Sequence, residues 1–92
     1  MDKSKKQKIK SIANKLRYTV IEMLYHAKSG HPGGALSSAD IFATIYFGDI
    51  LEVFPDDPYS YERDIFILSA GHYCPAWYAA LAFKGFFPED EL

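Results

Sequence analysis

Two stretches carry side chains able to do chemistry: Ser29-Gly30-His31-Pro32-Gly33-Gly34 and Ser69-Ala70-Gly71-His72, each a glycine-flanked histidine just ahead of a helix-like segment. Imidazole donates hydrogen bonds and exchanges a proton near neutral pH. Glycine lets the main chain come close to a ligand that a Cβ would hold off, and a helix start offers unpaired N–H groups. The pattern predicts an anion-binding pocket with a proton carrier, built around His31 and His72. Taken alone, His31 reads as a helix-end cap on a final carbonyl. The pair Gly33-Gly34 is costly in backbone entropy and needless in a plain connection, and it points instead to function.

The remaining reactive types read more simply. Cys74, the only cysteine, is a small buried filler; Tyr73, Trp77 and Tyr78 are core or interface aromatics; Asp49 is a solvated helix end. One cysteine allows no internal disulfide and no cysteine zinc cluster, which fits a reduced cytoplasmic setting.

The elements that must position these residues follow from periodicity. Ile9, Ile12, Ala13, Leu16, Val20, Met23, Leu24 and Ala27 recur at three- and four-residue spacing, predicting an amphipathic helix from Lys8 to about Lys28. Gly30, as a left-handed cap, and Pro32 end it. Ser37 is the expected N-cap of a second helix, from about Ser38 to Gly48, whose apolar residues surround most of its circumference and suit a larger body or an interface. Residues 51 to 63 read as loop. Asp64-Ile65-Phe66-Ile67-Leu68-Ser69 reads as a strand buried on both faces, and Ala76 to Lys84 as a short helix with Pro75 in its first turn and Gly85 closing it. Pro88 followed by three acids is how a further helix begins. A single strand cannot make a sheet, so the segment suggests part of a larger domain.

Composition sets the outer bounds. Ninety-two residues make at most one domain, yet 49% are apolar and Tyr and Phe number seven each, which asks for a covering partner. Residues 1 to 28 hold eight Lys and Arg against two acids, while residues 29 to 92 hold two against ten. A basic front can serve as an arm for nucleic acid, but no aromatics interleave Lys3, Lys5, Lys6, Lys8 and Lys10, which suits a solvated helix face. No secretory signal is seen, and no run approaches the roughly 20 apolar residues of a membrane span.

From about Leu16 to Leu92 the chain resembles the N-terminal, thiamine-diphosphate-binding part of transketolase. The likeness runs through Lys28-Ser29-Gly30-His31-Pro32-Gly33-Gly34-Ala35-Leu36-Ser37, Asp64-Ile65-Phe66-Ile67-Leu68-Ser69, Gly71-His72 with Pro75-Ala76, Tyr78-Ala79-Ala80-Leu81-Ala82, and Gly85-Phe86-Phe87-Pro88. The resemblance implies an α/β fold, a parallel sheet flanked by helices, of which residues 1–92 are the opening segment with about three helices and one strand, residues 1–8 being a basic extension. It also implies transfer of a two-carbon ketol unit between sugar phosphates in the pentose phosphate pathway, with thiamine diphosphate and Mg²⁺.

By the same resemblance His31 is catalytic, lining the substrate channel, and His72 is cofactor-binding, near the diphosphate. Ser29, Gly30 and Gly71 shape the backbone around them. The family's metal-binding Gly-Asp-Gly segment has no counterpart, since Gly48-Asp49-Ile50 does not match it, so no metal ligand is expected in this chain. The glutamate that activates the cofactor belongs to another family domain, so the chain alone should be inactive. Implied partners are sugar phosphates, a C-terminal transketolase region or subunit, and further copies in a homo-oligomer or heterotetramer, with no nucleic acid or membrane. The competing reading is a free-standing helical module whose basic first helix grips nucleic acid or an acidic protein.

Overall fold

The computed structural model describes residues 2–92, and its first element is set by a cap. The Asp2 carboxylate accepts a hydrogen bond from the Lys5 N–H at 2.7 Å, and α1 runs from there, Lys3–Ala27. It begins ahead of the expected Lys8 because a cap, rather than the first apolar residue, decides where a helix starts. The basic residues from Lys3 to Lys8 are thus its first turns, and Lys5 is tied to Asp49 by an ion pair. Ile9, Ala13, Leu16 and Val20 form the buried stripe. At the other end Lys28 itself turns left-handed, φ 56°, and its N–H bonds Leu24 O at 2.9 Å. Gly30, expected as that cap, follows it with φ +124°.

Two helices come next, α2 (Pro32–Ser37) and α3 (Ala39–Phe47), where one was expected. Ser37 is therefore not the N-cap of α3. Its hydroxyl donates to Gly34 O and that of Ser38 donates to Ala35 O, each at 3.2 Å, so both turn back onto α2. Such local bonding by serine competes with capping of the following helix. Asp40, in the first turn of α3, accepts from Arg17 on α1 at 3.2 Å.

A long loop is closed at its base by Asp64, whose N–H donates to Glu52 O and whose carboxylate accepts from Glu52 N–H, both at 2.7 Å. After a 3₁₀ turn at Gly71–Tyr73, α4 spans Cys74–Lys84. Gly85 closes α4 as expected, at φ +105°, with Phe86 N–H reaching Leu81 O at 3.0 Å and Gly85 N–H reaching Ala82 O at 3.0 Å. This is a Schellman ending. Pro88 leads only into a 3₁₀ turn at Glu89–Glu91.

The expected strand is the main correction. Among the described residues there is no strand and no sheet, so the observed architecture is helical rather than α/β. A strand exists through its ladder, and no main-chain hydrogen bond outside the helices involves Ile65 through Ser69 among the described residues. Nor is the segment buried on both faces: Phe66 and Leu68 point inward while Ile65 and Ile67 are 71% and 80% exposed. Phe66 anchors it, packing edge-to-face on Phe42, Tyr46 and Trp77 with ring centroids 5.5–6.2 Å apart.

The core lies where α1, α2, α3 and α4 converge. Ala13, Ala35, Ala39, Ala43, Ala76, Ala79 and Ala80 are all at 0% exposure, and Leu16, Val20 and Phe42 are the large side chains among them. Alanines at the crossings let the helix axes come close, and the larger side chains fill the space between them. No helix among the described residues is long and apolar enough to cross a membrane.

Candidate functional site

The two histidines singled out by their glycine neighbours lie forty-one positions apart in the chain, yet they meet in space. Their ring centroids are 4.4 Å apart with planes inclined by 30°. His31 occupies the N-cap position of α2 in extended conformation, φ −116° and ψ 107°, and makes no side-chain capping hydrogen bond. Nor does its ring bond a closing carbonyl of α1, which Lys28 caps, so the plain capping reading of His31 is not what the fold uses. His72 sits in the 3₁₀ turn that delivers the chain into α4. Both imidazoles are exposed.

Local chemistry explains why each stands where it does. The left-handed turn at Lys28 reverses the chain, and Pro32 at the first position of α2 has no N–H to leave unpaired. On the other side Phe66 and Leu68, inserted into the helical core, lead the chain to Gly71. His31 and His72 thus arrive from different elements on one surface.

The glycines divide into two kinds. A Cβ built at Gly33 or Gly71 would meet no heavy atom within 4 Å, so the main chain is open to a ligand at both. At Gly34, by contrast, the space is taken by the Tyr73 ring, and at Gly30 by the Leu24 side chain. Reasoning from sequence assigned Gly33 and Gly34 one shared role and missed the Tyr73 contact. The signal was there in the paired glycines, but not its cause. Beside the turn, a groove of about 320 Å³ is lined by Ile21, Leu24, Tyr25, Ser29, Gly30 and Pro32.

Two exposed imidazoles with approachable glycine backbone on both sides form a donor set suited to an oxyanion such as a diphosphate. A metal is a different matter. Among the described residues no three His, Cys, Asp or Glu side chains come together as ligands. Cys74 opens α4 and is half-buried, and the neighbouring thiol pushes the Tyr78 phenol above its ordinary value. Tyr73 and Trp77 pack against the core as expected, whereas Tyr78 is more exposed, stacked on Trp77 with centroids 6.5 Å apart.

Residues 8–91 match the family described as transketolase, thiamine diphosphate binding domain. Over 91 residues, 99% of this chain and 14% of the relative, the sequence is 41% identical to a transketolase of Pongo abelii. It is 41% identical over 78 residues to an apulose-4-phosphate transketolase subunit of Phocaeicola vulgatus, covering 85% of this chain and 27% of that protein. It is 43% identical over 80 residues to a 6-deoxy-6-sulfo-D-fructose transketolase subunit of a Clostridium species, covering 87% and 29%. The chain thus spans between 14% and 29% of the length of these relatives.

Proposed function

The chain belongs to the transketolase thiamine diphosphate binding domain family, and we propose that it contributes the His31–His72 face of the site at which a two-carbon ketol unit passes between sugar phosphates. The observation that carries this reading is the 4.4 Å approach of two imidazoles from separate elements, within a chain matched to the family over residues 8–91. Bound thiamine diphosphate supplies the electron sink for the cleaved carbon bond. The chain's own residues bind, orient and move protons.

In this proposal His72 binds the diphosphate by donating an N–H from its ring, with the open backbone at Gly71 and Gly33 allowing close approach. His31 faces the sugar, donates to its hydroxyls and carries a proton during bond breaking. Its exposed ring is free to serve both roles because it is not spent on capping α2. The divalent metal, Mg²⁺, is held by residues beyond this set. On this reading the 92 residues by themselves are inactive.

We assign the missing parts to a C-terminal transketolase region or subunit and to further copies of the assembly, as homo-oligomer or heterotetramer. Two of the relatives carry the word subunit in their names. The surfaces available for such partners are the exposed Ile65 and Ile67 with the unpaired main chain around them, and Tyr18, Ile21 and Tyr25 on one side of α1. A cytoplasmic enzyme of the pentose phosphate pathway is the setting this reading fits. The test is titration calorimetry of thiamine diphosphate, with Mg²⁺, into the intact protein that carries this chain, joined by its partner subunit where it has one. Saturable binding supports the proposal; absence of heat at millimolar cofactor removes it.

A further inference from the structure

The contact between Tyr73 and Gly34 joins the same two short elements that carry the histidines. Gly34 is the third residue of α2, directly after the His31 cap, and Tyr73 follows His72 in the 3₁₀ turn. A Cβ on Gly34 would stand 2.9 Å from Tyr73 Cζ and closer still to Cε1 and Cδ1. The ring therefore lies directly against the α2 backbone, at a distance that only glycine permits. Apolar carbons normally stand about 3.5–4.0 Å apart, so even one methyl group at Gly34 would drive the ring, and the turn that bears it, outward by on the order of 1 Å.

His31 and His72 have no hydrogen bond to each other and project from the exposed surface, so ring-on-ring spacing follows from how α2 and the 3₁₀ turn are seated. Tyr73 is half-buried and packs on the core, which makes it a stiff spacer rather than a mobile flap. Its hydroxyl makes no hydrogen bond among the described residues, and the contact is made by ring carbons. Shape, not polarity, carries the effect.

We propose that Tyr73 is a positioning residue: by seating its ring on Gly34 it fixes the approach of His72 to His31. The consequence for cofactor binding rests on the function proposed above, but the geometric claim does not. A displacement on the order of 1 Å is enough to lower the efficiency of an oriented site severely.

The experiment is a double-mutant cycle in the intact protein, with partner subunit where present, read in two independent ways. The first readout is the nuclear Overhauser contact between the His31 and His72 rings in selectively labelled protein; the second is thiamine diphosphate affinity by calorimetry. Gly34→Ala is expected to abolish the inter-ring contact and weaken cofactor binding about tenfold, while Tyr73→Phe, which retains the ring, preserves both. In a Tyr73→Ala background, adding Gly34→Ala should change neither readout further, because the clash has lost its partner. Retention of the inter-ring contact in Gly34→Ala, or simple additivity across the cycle, overturns the inference. If Gly34→Ala does not fold, Tyr73→Ala decides alone: loss of the contact with the helical circular dichroism unchanged supports the role, and an unaltered contact removes it. If the unmodified protein binds no thiamine diphosphate, the cofactor reading fails while the ring contact still judges Tyr73.

Discussion

Trp77 Nε1 donates a 2.8 Å hydrogen bond to Tyr46 Oη, linking α4 to α3 across the aromatic cluster into which Phe66 is inserted. The indole N–H has no other role, and the phenol is only 3% exposed. Burial raises the Tyr46 phenol above its ordinary value, and the Trp77 hydrogen bond offsets part of that rise. The pair satisfies two polar groups where neither has easy access to water.

Tyr46→Phe should therefore lower unfolding stability at pH 7 by about 1 kcal/mol, since it leaves the Trp77 N–H without its acceptor. The pH dependence has a definite sign. A folded-state value raised above the unfolded value gives stability that is complete below about pH 10 and lost as the pH climbs through the folded value. Chemical denaturation between pH 8 and 11 should show that alkaline loss in the unmodified protein and a shallower one in Tyr46→Phe. Equal slopes would mean that the phenol does not titrate in this way.

For the proposed enzyme, His31→Ala should lower kcat by about 100-fold or more with cofactor affinity changed little, because proton movement and hydroxyl contact matter most as the bond breaks. His72→Ala should do the reverse, weakening thiamine diphosphate by about tenfold. Steady-state kinetics alongside calorimetry separate the two. An unchanged turnover in the first variant, or unchanged affinity in the second, contradicts the role given to that residue.

Leu16→Ala removes one of the large fully buried side chains, on α1 and within the alanine-rich core. The loss should be about 2–5 kcal/mol by chemical unfolding, combining lost burial with the space left behind. A value below about 1 kcal/mol would mean that the helices can close over the gap.

Ile67→Glu places a charge at a position that is 80% exposed in this chain. It should leave the helical circular dichroism of the chain unchanged but reduce its assembly with partner polypeptide, measured by analytical ultracentrifugation. Full assembly by the variant would move the proposed partner surface elsewhere.

Most of the helical frame was legible from spacing. The apolar stripe from Ile9 to Val20, the end of α3 before Gly48 and the Gly85 ending all follow from local rules that act within a few residues. The pairing of His31 and His72 could be suspected from their shared glycine setting, but its 4.4 Å geometry depends on how distant elements pack. What could not be read was non-local or competitive. Ser37 and Ser38 had two ways to bond, and their hydroxyls turn back onto α2 instead of capping α3. Residues 64–69 carry the composition of a strand, but composition does not provide a neighbour to pair with. Nothing in the sequence sets Tyr73 apart from the other aromatics, because its seat on the bare Gly34 backbone is a contact between distant elements.

The run Ile65-Phe66-Ile67-Leu68 has neither charge nor proline, and its amides and carbonyls are unengaged by other main chain among the described residues. Such a sticky ribbon is a template for identical ribbons. Production of this polypeptide in isolation should therefore end in inclusion bodies at high expression, and simultaneous synthesis of its complement should recover it in the supernatant. Were the proposed partner a separate polypeptide, the order and stoichiometry of translation would become part of how the protein stays usable.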